Sequence, residues 1–217
     1  MPAASIFRIV HHEKPFLLIE KLKPFLSQRA KSSDLEDFHG FIGRQLGESL
    51  WPVHRLDREV LGLMLFARSK EFCEELTGQF RSRKVRKSYS AWVSGRPPKA
   101  KDRLVHYLKK NEKTNYTSVF PRPTPGAKEA VLSYEVQEER GDKTRLRIDL
   151  ETGRSHQIRA QLAKIGCPIL GDSRYGKSLK EAFATMPIQL KSCRLGFYLY
   201  GGSYFEWNLP PIEILEK

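Results

Sequence analysis

The sequence predicts an α+β fold with a mostly antiparallel sheet, because strand patterns outnumber helix patterns and follow one another as hairpins. Residues 131–136 and 146–150 alternate apolar and polar side chains on either side of Gly141-Asp142, a turn signal typical of a β-hairpin. Residues 188–214 are again rich in strand-forming side chains.

The N-terminal part of the chain predicts strands around one mixed segment. Residues 6–20 are strand-like and include an apolar run at 16–19, whereas residues 27–47 are mixed and predict a partly helical stretch. The short apolar segment 61–67 is typical of a buried strand and directly follows Asp57. The loop that carries Asp57 is therefore expected to lead into the core.

A helix is predicted over residues 69–83. Phe72, Leu76 and Phe80 recur at i, i+4 and i+8, and acidic residues come before basic ones, as the helix dipole favours. The alternation over residues 89–93 then predicts a strand, which we interpret as a basic strand edge.

Residues 96–128 form a basic insertion that is rich in Lys, Arg and Pro. Such a segment could be a linker between domains or a long excursion within one domain. We prefer the excursion, because 104–108 and 116–120 have enough apolar and aromatic residues for short hairpin strands. Residues 1–217 are accordingly expected to form a single domain.

A second helix is predicted from Ser155, with Gly166 as its stop signal. Its core stripe follows the spacing i, i+4, i+7 and consists of Ile158, Leu162 and Ile165. His156 and Arg159, three positions apart, share another face of this helix.

The charge of the chain points to a polyanionic partner. There are 38 Lys and Arg against 25 Asp and Glu, a net charge of +13, so nucleic acid is the expected partner, although solubility or attraction to anionic lipid could also explain the charge. One dense run favours phosphate contact, and could equally be a localisation signal. It contains Arg81, Arg83, Lys84, Arg86 and Lys87.

Cysteine usage and hydropathy suggest a cytoplasmic protein. The three cysteines are odd in number and far apart, which argues against a disulfide framework and a thiolate metal cluster. No run of about 18 apolar residues and no signal-peptide core are found, so neither a membrane partner nor secretion is expected. The histidines lack metal-ligand spacing with cysteines or carboxylates, so no metal is expected.

Four segments carry a family resemblance, in this order and spacing. They are His54-Arg-Leu-Asp57 with Gly62, Lys87-Ser-Tyr89-Ser-Ala91-Trp-Val93-Ser-Gly95, Thr152-Gly-Arg-Ser-His-Gln-Ile-Arg159, and Pro168-Ile-Leu-Gly-Asp172-Ser-Arg-Tyr175-Gly176. In these segments the chain resembles the RluA-type RNA pseudouridine synthases. The resemblance implies the pseudouridine synthase fold, a long, mixed but mostly antiparallel sheet flanked by helices, with a central cleft.

The resemblance also implies an isomerase. Pseudouridine formation breaks the N1–C1′ bond of a uridine, turns the uracil and rejoins it through C5, so no cofactor is expected. Asp57 matches the carboxylate that starts cleavage, by attack or by removing a sugar proton, and Arg159 matches the arginine that orients it. Tyr89 matches the tyrosine that lies against the base. Taken alone, an ordinary ion pair or a core aromatic would explain these residues.

Further residues would bind the RNA. Arg55 matches a residue that enters the RNA helix where the flipped uridine was, and a plain phosphate contact is the alternative. His54, Arg154 and His156 would support the site or contact phosphate. Asp172 is given a structural role, in a turn that packs against the site helix.

The chain departs from the family in three places. Val60-Leu61 replace the usual Thr-Ser, which puts polar support of the Asp57 loop in doubt, and residues 20–24 keep a lysine and a proline at altered spacing. An S4-like module has no room before Ile6, so RNA recognition would fall to a single catalytic domain and its basic insertion. We expect a monomer without an obligate protein partner that acts on a transfer or ribosomal RNA stem-loop. A non-catalytic binder of structured RNA is the alternative.

Overall fold

A computed structural model describes residues 6–25, 38–176, 186–199 and 202–214 of the protein. The chain divides into two compact units: the first combines Met1–Val85 with Arg194–Leu209, and the second combines Arg86–Cys193 with Pro210–Lys217. That the chain acts as a single catalytic domain stays a prediction.

The described residues form eleven strands and three helices. In chain order these are β1 (Phe7–His11), β2 (Phe16–Lys21), α1 (Phe38–Leu46), β3 (Trp51–Pro52), β4 (Leu61–Ala67), α2 (Lys70–Arg81), β5 (Arg86–Ser94), β6 (Lys101–Asn111), β7 (Tyr116–Phe120), β8 (Lys128–Arg140), β9 (Lys143–Leu150), α3 (Gln157–Lys164), β10 (Leu190–Tyr198) and β11 (Tyr204–Asn208). The mixed segment predicted at 27–47 contributes α1, and its residues 27–37 lie outside the described part.

The sheet of the first unit is built from antiparallel neighbours. Strand β2 pairs with β1 on one side and with β4 on the other, β3 pairs with β4, and β10 forms a hairpin with β11. The strand-like character predicted for residues 6–20 is confirmed as two strands, β1 and β2, with a turn between them. Pro15, which has no backbone N–H to donate, lies in that turn, and Phe16 N–H donates to Glu13 O there.

The helix predicted over 69–83 is confirmed as α2. Ser69 is its N-cap, and the side chain of Ser69 accepts a hydrogen bond from Phe72 N at 3.1 Å. Phe72 and Leu76 are fully buried in a core cluster that also contains Phe16 and Leu65. The strand predicted at 61–67 is confirmed as β4, whose apolar side chains supply much of that core.

The second unit carries a run of antiparallel strands. β9 pairs with both β5 and β8, β8 pairs in turn with β6, and β6 pairs with β7. The hairpins predicted around Gly141 and within the basic insertion are therefore confirmed. The interpretation of residues 89–93 as a strand edge is wrong, because β5 is hydrogen-bonded on both sides. β9 lies on one side, and residues 168–170 with Gln189 contact the other.

The second predicted helix is confirmed as α3, with two differences in detail. Its N-cap, His156, has a left-handed backbone with φ of 52°, so the helix begins at Gln157. Ile158 and Leu162 are buried, whereas Ile165, at the C-cap, is only half-buried. The predicted α+β class with a mostly antiparallel sheet is confirmed.

Gly171 illustrates how tightly the second unit packs around residues 168–176. Its φ is +76°, and a Cβ atom there would lie 2.3 Å from Pro187 O. Gly141 has a comparable φ of +59°, but no atom would lie within 4 Å of an added Cβ. A side chain at Gly141 would meet backbone strain alone, whereas a side chain at Gly171 would meet backbone strain and a steric clash.

We expect Gly171→Ala to lower the free energy of unfolding by about 3 kcal/mol or more, because strain and collision add. The control Gly141→Ala should cost about 1–2 kcal/mol, from strain alone. Denaturant unfolding followed by tryptophan fluorescence measures both. Equal losses would show that the close approach to Pro187 is not a constraint.

Candidate active-site segments

The loop that carries Asp57 is anchored by its apolar and aromatic residues. His54 Nε2 accepts a hydrogen bond from Leu65 N at 3.0 Å, and the His54 ring stacks on Phe80 with centroids 5.1 Å apart. Leu56 and Val60 are buried, so the residues between them have little freedom. An accepting Nε2 in a neutral ring means that Nδ1 carries the proton.

The polar residues of the same loop point the other way. Arg55 is exposed, as the proposed contact with RNA requires, and Asp57 is half-buried. Val60 N–H donates to Asp57 O at 3.1 Å, which closes a turn directly after the acid. The loop thus presents one charged side chain on either side of a buried leucine.

A buried lysine holds the backbone of this loop. Lys21 is fully buried at the end of β2, and its Nζ donates to Phe25 O at 2.8 Å, Asp57 O at 3.1 Å and Arg58 O at 2.8 Å. Burial lowers the pKa of Lys21 to about 8, although the Asp57 and Glu59 charges oppose that shift. Below that pH the ammonium has three N–H donors for the three carbonyls.

The role of Lys21 was not evident from the sequence, which showed only a lysine at unfamiliar spacing from Pro24. A lysine that ends a strand opened by four apolar residues was the available signal, because a buried ammonium needs acceptors. Polar support of the loop, which the replacement of two hydroxyl residues by Val60-Leu61 put in doubt, comes from Lys21 and His54.

In the second unit, the motif Thr152–Arg159 is fixed to β8 by a buried polar network. Thr152 Oγ1 accepts from Val131 N at 2.8 Å and donates to Gln157 Oε1 at 2.8 Å. The Gln157 amide also accepts from Arg154 N at 2.9 Å and donates to Val131 O at 3.1 Å. These bonds set the start of α3 and hence the position of Arg159.

Arg159 and Asp172 form a buried, two-pronged ion pair. Arg159 Nε donates to Asp172 Oδ2 at 2.8 Å and Nη2 donates to Oδ1 at 2.9 Å, with both residues at most 4% exposed. Burial alone would raise the pKa of Asp172, but the hydrogen bonds and charge of Arg159 outweigh it and hold that pKa below its ordinary value. The predicted turn that packs against the site helix is confirmed.

The same turn is completed by backbone and aromatic contacts. Asp172 Oδ1 also accepts from the backbone N–H groups of Arg174 and Tyr175, each at 3.0 Å. The guanidinium of Arg159 lies over the Tyr175 ring, 5.4 Å from its centroid. Tyr175 OH lies 2.9 Å from His156 Nδ1, and the His156 residue is largely buried. His156 therefore packs against this turn.

Tyr89 lies in the middle of β5, opposite Ile148 of β9, and is 8% exposed. The strand prediction for this residue is confirmed. Arg154 is half-buried, and its Nε donates to Glu129 O at 2.8 Å.

The basic run divides into two groups. Arg81, Arg83, Lys84 and Arg86 are exposed, as expected of phosphate-binding residues. Lys87 is only half-buried, its Nζ lies close to Gly153, and burial lowers its pKa. Lys87 therefore differs from the other four in being held beside the Thr152–Arg159 motif.

The predicted site residues are distributed over both units. His54, Arg55 and Asp57 belong to the first, and Tyr89 and Arg159 belong to the second. The pairing of Asp57 with Arg159 stays a prediction. In the described ranges there is no group of three or more His, Cys, Asp or Glu that could hold a metal ion, and none of the described helices is long and apolar enough to cross a membrane.

Solved structures with the same architecture define the class of fold. Human RNA pseudouridylate synthase domain containing 1 matches with a TM-score of 0.80 and 21% identity, covering 97% of this chain and 86% of its own. Human RNA pseudouridylate synthase domain containing 4 matches with a TM-score of 0.77 and 22% identity, covering 94% and 88%. The chain has the pseudouridine synthase fold.

Sequence relatives identify the family. The family model of RNA pseudouridylate synthase matches residues 15–164. The dual-specificity RNA pseudouridine synthase RluA of Pasteurella multocida is 31% identical over 186 residues, which are 84% of this chain and 83% of the relative. The chain belongs to the RNA pseudouridylate synthase family and is of the RluA type, which confirms the resemblance.

Other relatives are longer than this chain. An uncharacterized RNA pseudouridine synthase of Chloroflexus aurantiacus is 38% identical over 135 residues, 62% of this chain but 41% of the relative. Ribosomal large subunit pseudouridine synthase D of Haemophilus influenzae is 37% identical over 124 residues, 57% of this chain and 37% of the relative. The chain thus spans about two-fifths of the length of these two proteins.

The lowered pKa of Lys21 gives stability a specific pH dependence. Between about pH 8 and 10 the unfolded chain binds more protons at this lysine than the folded chain does, so raising the pH favours the folded state. From pH 7 to pH 10, wild type should gain about 2 kcal/mol in unfolding free energy relative to Lys21→Met. Denaturant titrations of both proteins at the two pH values measure the difference in unfolding free energy. A difference that does not change with pH would contradict a lowered pKa of Lys21.

The buried pair of Arg159 and Asp172 should be essential for stability. Asp172→Asn removes the negative charge and one of the two acceptor oxygens that the buried guanidinium of Arg159 contacts. We therefore expect a loss of about 3–5 kcal/mol in unfolding free energy. The matched control is Glu151→Gln, which removes the charge and one acceptor of the exposed fork from Arg103 (2.7 Å for each bond) and should leave the unfolding free energy nearly unchanged, because water screens that pair. Similar losses in the two variants would be evidence against a special role for burial.

Proposed function

We propose that the protein is a cofactor-free RNA pseudouridine synthase in which Asp57 initiates cleavage of the N1–C1′ bond of a uridine. The observation that carries the proposal is the construction of the Asp57 loop. Three buried or pinned residues, Lys21, His54 and Leu56, hold its backbone, whereas the charged Arg55 remains exposed. Such preorganisation suits a residue that must meet a reacting atom in one geometry.

Asp57 would act as nucleophile or as base. A carboxylate can attack the nucleoside or remove a sugar proton, and either step frees the uracil for rotation and bonding through C5. No electron is gained or lost over the reaction and no atom leaves except the C5 proton, which exchanges with water. Arg159 would orient the carboxylate, with Asp172 fixing the Nε and Nη2 edge of its guanidinium.

The uridine must leave the RNA stack before it can react. Tyr89 would lie against the extruded base, and its position on a buried strand supports a rigid role. Arg55 would fill the vacancy, because a planar guanidinium can stack and hydrogen-bond where a base has left. Arg154 and the exposed bases Arg83, Lys84 and Arg86 would contact phosphate, with Lys87, His54 and His156 supporting the site.

The substrate class is structured RNA. Relatives of the chain include a ribosomal large subunit pseudouridine synthase and a tRNA pseudouridine synthase, and a net charge of +13 suits any such polyanion. We propose a stem-loop of transfer or ribosomal RNA, bound in the cytoplasm by a monomer that acts as a single catalytic domain.

Asp57→Asn should abolish product formation and leave RNA binding nearly intact. The amide keeps the shape of the side chain but can neither attack nor remove a proton, so we expect a fall of at least about 10³-fold in kcat. Tritium release from RNA labelled at uridine C5 measures turnover, and filter binding measures affinity. Asp102→Asn, a carboxylate paired with Lys99 at the surface, is the control.

Two results would contradict the proposal. Wild type that binds RNA but forms no pseudouridine in total cellular RNA would identify a non-catalytic RNA binder. Asp57→Asn with wild-type turnover would place the chemistry on another residue.

A further inference from the structure

Tyr116 is a large aromatic side chain that the fold leaves at the surface of the basic insertion. It begins strand β7 opposite Asn111 of β6, and 41% of the residue is exposed. Its ring stacks on Tyr175, with centroids 4.9 Å apart and planes inclined by 29°. Tyr175 is only 8% exposed, so the inner ring belongs to the core of the turn while the outer ring faces solvent.

Hydrogen bonds of the neighbouring residues hold the backbone on both sides of Tyr116. The neighbouring Thr117 donates through its backbone N–H to Tyr175 OH at 2.8 Å and through Oγ1 to Ser155 O at 3.1 Å. Arg174 Nη1 donates to Thr114 O at 2.9 Å, which ties the preceding turn of the hairpin to the same region. Tyr116 is therefore an exposed ring with little freedom to move.

Tyr116 lies close to the Thr152–Arg159 motif, because both contact Tyr175. Tyr175 contacts both residues, since the Tyr116 ring stacks on it and the Arg159 guanidinium lies over its ring at 5.4 Å. Ser155, which accepts the bond from Thr117, lies within the Thr152–Arg159 motif. A group resting on Tyr116 would thus lie beside that motif.

The charge around Tyr116 favours a polyanion. Residues 101–128 contain seven Lys and Arg against two acidic residues. Both acids are paired with lysines, Asp102 with Lys99 and Glu112 with Lys110. A flat, oriented ring in basic surroundings is the combination by which proteins hold unpaired nucleotides, since every base has a face that can stack.

We infer that Tyr116 is a stacking platform for an unpaired base of the RNA, outside the residues proposed to carry out the chemistry. The inference rests on the proposed function, because it names a contact with the substrate of that same site. It assigns to the basic insertion a base contact in addition to phosphate contacts.

The test compares Tyr116→Leu, Tyr116→Phe and Tyr198→Leu. Leucine still covers Tyr175 but cannot stack a base, and phenylalanine keeps the ring. Tyr198 is a matched control, because it is 40% exposed and contacts another tyrosine, Tyr204, in the first unit. All three changes are made in the Asp57→Asn background, so that binding is measured without turnover.

Fluorescence anisotropy measures the affinity of each variant for a labelled RNA stem-loop and for a blunt duplex of the same stem. We expect Tyr116→Leu to bind the stem-loop about 5- to 100-fold more weakly, with Tyr116→Phe and Tyr198→Leu near the parent. Binding of the duplex should not change. The salt dependence of Kd should also stay the same, because stacking releases no counterions.

A second measurement covers the case in which Tyr116→Leu is destabilised. Stem-loop RNA with 4-thiouridine in its loop, irradiated with the unmutated chain, should crosslink to the peptide that contains Tyr116. Equal affinity of Tyr116→Leu and the parent, or a loss that appears also with the duplex, would overturn the inference. If wild type forms no pseudouridine while Tyr116→Leu still loses stem-loop affinity, the proposed function fails and the platform stands.

Discussion

Arg159 and Asp172 form the interaction on which the second unit depends most. Both are almost completely buried, and either charge without the other would carry a desolvation cost of several kcal/mol. The carboxylate also accepts two backbone N–H groups, so one side chain organises both α3 and the turn at 172–175. Tyr175 connects this turn to the β6–β7 hairpin, since it contacts Tyr116 and Thr117.

Lys21 has the corresponding role in the first unit. A single ammonium satisfies three carbonyls that come from two separate parts of the chain, including those of Asp57 and Arg58. The two units therefore use the same device, a buried cation that fixes a polar segment. In one the acceptors are neutral carbonyls and burial lowers the pKa of the lysine, and in the other the acceptor is a full negative charge.

Much of the fold could be predicted because local patterns decide it. The spacing of Phe72, Leu76 and Phe80 predicted α2, and the apolar segment 61–67 coincides with β4. The error has a physical cause as well. β5 is interior because residues 168–170, far along the chain, are hydrogen-bonded to it.

The sequence by itself determined the family, the candidate acid at position 57 and the basic character of the surface, because side-chain chemistry and motif spacing are written in it. Tertiary structure alone decided which groups become neighbours. Asp172 as the buried partner of Arg159, Lys21 as the anchor of the Asp57 loop and Tyr116 on Tyr175 all join residues 13 to 59 positions apart. Such contacts follow from how strands and helices pack, and no local pattern encodes them.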